Sequence, residues 1–157
     1  MTRPFQQYVV YQRAHEVVLD VYRATDAFPR QEMFGLTSQM HRSAASVPTN
    51  IAEGSALDGS RDFRRFLGIA LASATELEYQ LILAADLGYL ETSHSTSLRA
   101  RVNEVKRMLV TFRRRLHDQA ASAALEAEPL HAERTQTQAG LEASSQQPAA
   151  KSQGDQP

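Results

Sequence analysis

The sequence predicts an all-α protein: an antiparallel up-down four-helix bundle followed by a disordered C-terminal tail. Three observations lead there. Apolar residues recur at helical spacing in four separate segments. Chain breakers are scarce, with 7 Gly and 6 Pro in 157 residues, which disfavours a many-stranded β fold with a turn every 8–12 residues or so. The composition then changes near residue 120, dividing the chain into a bundle over residues 1–119 and a polar, acidic tail over 120–157.

The first helix is expected from about Gln7 to Ala27. Val10, Ala14, Val17, Val21, Ala24 and Phe28 alternate in steps of four and three, forming one stripe, with Tyr11, Val18 and Tyr22 widening it. Pro29 stops it, because proline disfavours the α conformation of the residue before it. The second, about Gln31 to Glu53, puts Leu36, Met40, Ser43, Val47 and Ile51 on one face. The small residues from Ser43 to Ser46 let a neighbouring helix come close. Pro48 inside this pattern removes a backbone donor and crowds the carbonyl of Ala44, so a kink is expected there. Gly54 suits the position just past the helix end, and Ser60 suits the N-cap of the next helix.

The third helix, about Ser60 to Leu87, carries Phe63, Phe66, Ala70, Ser73, Leu77, Leu81 and Ala84 as its stripe. Ile69, Ala72, Tyr79, Ile82 and Leu83 add apolar atoms on other faces, more than one bundle core covers, so a second copy of the chain is expected against it. Gly88 ends this helix. The fourth, about Ser93 to His117, repeats Leu98, Val102, Val105, Leu109, Phe112 and Leu116 at heptad spacing, with Thr92, Ser93 and Ser95 available as caps. Long amphipathic helices with short connections pack antiparallel in chain order. The tail has no aromatic residue after Phe112 and is rich in Ala, Gln, Glu and Ser; such a segment buries too little apolar surface to offset its ordering entropy, so Ala120 to Glu128 is read as a fraying extension of the fourth helix and disorder is expected beyond Pro129.

Several chemistries are excluded or disfavoured. With 0 Cys there are no disulfides, thiolate metal sites or cysteine nucleophiles. The longest apolar run, Phe66 to Ala72, is far short of the ~20 residues a membrane span needs. The N-terminus has no apolar signal core, so a soluble, cytoplasmic protein is expected. His15-Glu16 opens like a zinc-protease helix, but Leu19 stands where the second histidine is required. Glu91 and His94 have the Glu-x-x-His spacing of di-iron bundles, but those need two such pairs and two further Glu. There is no glycine-rich phosphate loop and no Gly-x-Ser-x-Gly elbow. We therefore expect no enzyme, no metal and no cofactor.

The net charge of −1 conceals an asymmetry: residues 1–119 hold 15 basic and 13 acidic residues, residues 120–157 hold 2 and 5. Nearly all the basic residues are Arg, which favours multi-donor contact with carboxylate or phosphate. Arg113, Arg114 and Arg115 are explained by the negative end of the fourth helix. Arg61, Arg64 and Arg65 open the third helix, the unfavourable end for a cation, although Asp58 and Asp62 offer local neutralisation. Arg99, Lys106 and Arg113 lie seven apart on one side of the fourth helix, as a solvated face or as a phosphate-contacting strip. For a single chain the solvated face is favoured; an oligomer would repeat the strip and strengthen the second reading. A polar line of Gln39, Arg42, Ser46, Asn50 and Glu53 runs along the second helix. It is read as a hydrogen-bonded network fixing register or a subunit contact, ahead of a binding groove.

The run Phe28-Pro29, Glu32, Gly35-Leu36-Thr37-Ser38-Gln39, Arg42 and Ser46-Val47-Pro48-Thr49-Asn50-Ile51-Ala52-Glu53-Gly54 resembles the four-helix bundle proteins encoded in 23S ribosomal RNA intervening sequences. The resemblance continues through Phe63, Phe66-Leu67, Ile69-Ala70, Ser73, Glu76-Leu77 and Leu87-Gly88-Tyr89 to Glu104-Val105-Lys106 and Met108-Leu109, covering about residues 8–117. It implies a ring-like homopentamer without enzymatic activity. It also implies kinship with the accessory proteins of diversity-generating retroelements, which bind a reverse transcriptase and nucleic acid. The resulting expectation is a homo-oligomeric scaffold that presents Arg61, Arg64, Arg65, Arg99, Lys106 and Arg113 to RNA, DNA or a ribonucleoprotein partner. The alternative is a protein-interaction adaptor with no nucleic-acid role.

Overall fold

The computed structural model describes residues 4–144, with side chains as far as Glu126. Four helices follow in order: α1 (Val9–Thr25), α2 (Leu36–Ser55), α3 (Ser60–Asp86) and α4 (Thr92–Ser144), with short 3₁₀ turns at Phe5–Gln7 and Arg30–Glu32. No strand occurs among the described residues. The chain divides into two compact units, Met1–Asp118 and Gln119–Pro157.

Contacts between the helices of the first unit run in opposite chain directions, as an antiparallel bundle requires. From α1 to α4, Arg13 meets Glu104 at 3.9 Å while Glu16 meets Arg101 at 3.0 Å. From α2 to α3, Ser43 meets Gln80 at 2.5 Å and Ser46 meets Ser73 at 2.9 Å. From α3 to α4, the Leu81 carbonyl accepts from Ser95 Oγ at 2.8 Å and Glu78 accepts from Lys106 at 2.7 Å.

The core follows the apolar stripes closely. Val10, Ala14, Val17, Val21, Ala24 and Phe28 are all buried, as are Leu36, Met40, Ser43, Val47 and Ile51. Leu98, Val102, Val105 and Leu109 are buried in α4, with Phe112 and Leu116 half-buried at its lower end. On α3 the buried apolar residues are Phe63, Leu67, Ala70, Ala74, Leu77, Leu81 and Ala84, with Gln80 buried beside them. Leu67 and Ala74 thus take the places expected for Phe66 and Ser73, because both neighbours of a stripe position lie near the same helical face. A void of about 10 Å³ sits where Ala14, Val17, Ala44, Val47, Ala74, Leu77, Val102 and Val105 meet, two residues from each helix. Its lining offers a water no polar side-chain partner.

By length and composition α3 is also apolar enough to cross a membrane, the one such helix among the described residues. Counting uninterrupted apolar runs misses it, because polar residues are interspersed along it. Its buried stripe faces the other three helices.

Helix ends depart from the sequence reading in three places. Gly54 lies inside α2, whose C-cap is Ala56. Its lack of a side chain serves packing: a Cβ there would stand 2.7 Å from the Phe63 ring and 2.7 Å from Phe66 Cβ. The N-cap of α3 is Gly59, at φ 129°, with no side-chain cap, and Ser60 is the first helical residue. α4 continues through the expected extension to Glu128 and, in backbone, past Pro129 to Ser144, so it does not end near His117. The alanine-rich run after Gln119 is a good helix former. The expected unstructured tail lies outside the described residues from 145 onwards. Gly88 behaves as expected: at φ 73° it lets Tyr89 N–H reach the Ala84 carbonyl at 2.9 Å and its own N–H reach Ala85 at 3.0 Å, closing α3.

Candidate nucleic-acid interface

Two groups of arginines stand out. Along the middle of the bundle they tie helices together. Arg101 of α4 pairs with Glu16 at 3.0 Å and also with Asp20, both on α1. Arg13 pairs with Glu16 at 3.1 Å, and Arg23 with Asp20 at 3.1 Å. Glu16, half of the dismissed zinc motif, is thereby a structural partner. Glu78 of α3 accepts from Lys106 Nζ at 2.7 Å and Asn103 Nδ2 at 2.9 Å, and Arg99 lies 4.0 Å away. The Lys106 and Asn103 hydrogen bonds hold the Glu78 carboxyl below its ordinary pKa, against a smaller opposing effect of burial.

The second group has no ion-paired carboxylate among the described residues. Arg61, Arg64 and Arg65 from the start of α3 join Arg113, Arg114 and His117 of α4 around a groove of about 350 Å³. Antiparallel packing brings these segments together, since α3 begins where the α4 part of the bundle ends. Neither Asp58 nor Asp62 forms an ion pair with any of these arginines. Among the lining side chains, only His117 faces an acid, its neighbour Asp118 at 3.4 Å. Arg64 Nε, like Arg99 Nε outside the groove, is buried with no acceptor among the described residues. The Arg65 guanidinium lies over the Phe66 ring at 4.6 Å, a cation–π contact. The Arg113 guanidinium lies above Gly68, where a Cβ would be 3.6 Å from its Cζ.

The six expected phosphate contacts are thus split. Arg61, Arg64, Arg65 and Arg113 share the groove, while Arg99 and Lys106 face Glu78. The heptad spacing placed Arg99, Lys106 and Arg113 on one side of α4, but carries no information about what α3 sets opposite each. Arg114 and His117 line the groove and were not among the expected contacts. The explanation of Arg113, Arg114 and Arg115 by a helix end fails because α4 does not end there.

The polar line of α2 is a network at its centre only. Asn50 Nδ2 donates to the Ser46 carbonyl at 2.8 Å and to Ser46 Oγ at 3.0 Å, and Ser46 Oγ reaches Ser73 of α3. α2 runs as one helix through the buried Pro48. Thr49 Oγ1 and Asn50 Nδ2 bind the carbonyls of Ala45 and Ser46, next to the gap that Pro48 leaves at Ala44. Gln39, Arg42 and Glu53 are exposed on either side. Glu32 and Tyr89, far apart in the chain, form a further polar contact. Glu32 Oε2 accepts from Leu36 N–H at 3.0 Å, capping α2, and Tyr89 donates to Oε1 at 3.3 Å. Gly35 makes this possible, since a Cβ there would lie 2.6 Å from Glu32 Oε2. Burial and the Glu32 carboxylate raise the Tyr89 pKa. His41 stacks on Tyr22 at 3.7 Å and hydrogen-bonds Thr25 at 2.7 Å, and burial lowers its pKa.

Fold and groove together define a class: an up-down four-helix bundle with a cluster of unpaired arginines at one end. Within it, the chain belongs to the 23S rRNA-intervening sequence protein family, whose family model matches residues 6–111. It is similar to a solved structure from Bacteroides thetaiotaomicron, described as a protein of unknown function from the S23 ribosomal protein family. The two are 27% identical with a TM-score of 0.61, over 67% of this chain and 98% of that one. No protein of curated function matches this chain.

Proposed function

We propose that the protein is a non-enzymatic, homo-oligomeric helical scaffold that binds nucleic acid, or a ribonucleoprotein partner, through its arginine groove. The observation that carries this is the convergence of five arginines with no ion-paired carboxylate from two helices onto one concavity. Guanidinium groups suit phosphate oxygens through paired N–H donors. Family membership, in proteins named for a ribosomal RNA insertion, supports an RNA setting. Self-association is supported by the outer face of α3, where Ile69 is 39% and Tyr79 62% exposed. A pentamer is the form the family resemblance suggests.

The test is binding of a single-stranded RNA across a salt series, with the unaltered protein and with Arg61, Arg64 and Arg65 all changed to Ala. Each phosphate contact on a single strand contributes about 0.7 to the slope of log affinity against log salt, so three lost contacts flatten it by about 2. No binding at low salt, or an unchanged slope in a correctly assembled variant, overturns the nucleic-acid reading in favour of the adaptor. Light scattering that returns 17.4 kDa at every concentration overturns the oligomer.

A further inference from the structure

The same groove has features that an extended phosphate track does not need. Its volume, about 350 Å³, is at the small end of ligand pockets, which run from roughly 300 to 1,000 Å³. Surfaces that follow a single strand combine a charged path with aromatic platforms for successive bases. Here no Phe, Tyr or Trp lines the groove. What converges instead is charge: five guanidinium groups around one concavity. An internal phosphodiester carries one negative charge, so a single nucleotide leaves most of this unbalanced. A triphosphate chain places about four negative charges at one point, matching a cluster of forked cationic donors. The first turn of α3 adds to the same field. Its N-terminal N–H groups have no side-chain cap, and the helix dipole is positive at that end.

We propose that the arginine groove is a pocket for a terminal polyphosphate, the group shared by a nucleoside triphosphate and the 5′-triphosphate end of an RNA. For the RNA source, this rests on the nucleic-acid reading above and narrows it from phosphates in general to the chain end. The groove reads charge density; it contributes no base recognition.

The test titrates the intact protein with four probes: inorganic triphosphate, ATP, a 5′-triphosphorylated RNA, and the same RNA with a 5′-hydroxyl. The expected result is that the triphosphorylated RNA binds at least about tenfold more tightly than its 5′-hydroxyl counterpart, one charge-assisted hydrogen bond or more. Inorganic triphosphate competes with it. Arg64→Gln and Arg113→Gln each erase the difference while the helical circular dichroism is retained. If one variant fails to fold, the other and the wild-type competition still decide. Binding of inorganic triphosphate and ATP without preference between the two RNAs supports the pocket and assigns it to free nucleotides. Equal RNA affinities with no binding of triphosphate overturn the pocket and leave the nucleic-acid reading standing. Failure of all four probes overturns both.

Discussion

Changing Glu78 to Gln tests the account of the α3–α4 contact. The substitution keeps the shape and leaves an oxygen for Asn103, which donates to Oε1 at 2.9 Å. It replaces Oε2, which accepts from Lys106 at 2.7 Å, with an amide donor, or faces that donor towards Asn103 instead. Either way one charge-assisted bond is lost and a lysine only 22% exposed is left without its counter-charge. A hydrogen bond to a charged group is worth about 1.5–3 kcal/mol, and residual solvent access places this one near the middle, at about 2 kcal/mol. For a unit of this size each kcal/mol lowers the melting temperature by about 4 °C, giving a fall of about 8 °C. The pH dependence supplies a second check. A carboxyl whose pKa is lowered by folding stabilises fully above its unfolded value, 4.5, and loses that contribution as pH falls through the folded value. The gap between the two proteins should therefore be complete at about pH 7 and close well below pH 4.5 or so. Thermal unfolding at fixed protein concentration, so that assembly does not shift the midpoint, measures both. A variant within about 0.5 kcal/mol of the wild type at neutral pH, the scatter of ordinary surface changes, would refute the reasoning. So would a gap that persists in acid.

Glu32→Ala removes the α2 cap and should cost about 1 kcal/mol or slightly more, read as a shift in urea midpoint; Tyr89→Phe, which leaves the cap, should cost less. Gly54→Ala should destabilise although alanine is the better helix former by about 1 kcal/mol. Its Cβ meets Phe63 and Phe66 at 2.7 Å, and the Phe63 ring is held by Phe112 at 5.1 Å, so overpacking of about 1–3 kcal/mol wins. A stabilised Gly54→Ala variant in thermal melts would show that the α2–α3 approach is looser than described.

The bundle was legible in the sequence because its determinants are one-dimensional. Steps of three and four locate the buried stripes of α1 and α2 and the first four positions of that of α4, while Phe112 and Leu116 are half-buried. What the spacing leaves open is whatever depends on a facing helix. Gly54 looks like a helix terminator until Phe63 and Phe66 stand against it. Glu78 looks like any surface glutamate, since its partners Asn103 and Lys106 are far along the chain. The α3 stripe shifts by one residue at Phe66 and Ser73 for a similar reason: both candidates at each position lie near the interface, and packing selects between them. The candidate site was legible by half. Arg61, Arg64, Arg65 and Arg113 could be named because their places at a helix start and on a heptad row required comment. Arg114 was assigned to a helix end that α4 does not have, and nothing in the spacing singled out His117.

The pairing pattern itself argues that the groove is more than a surplus of surface charge. This chain balances its arginines wherever they brace the bundle: Arg13 and Arg101 share Glu16, Arg23 and Arg101 share Asp20, and Arg99 and Lys106 share Glu78. Acids are available near the groove as well, at Asp58 and Asp62, yet neither is drawn into an ion pair. Arg30, Arg42 and Arg107 are also exposed and unpaired, but each stands apart from the cluster. Five guanidiniums around one hollow repel one another, and that repulsion lowers the stability of the bundle unless an anion from outside offsets it. Since the same fold neutralises the arginines that tie its helices together with shared carboxylates, leaving this cluster bare is a cost that a bound polyanion removes. Adding inorganic triphosphate should accordingly raise the melting temperature of the wild-type protein more than an equal ionic strength of chloride does.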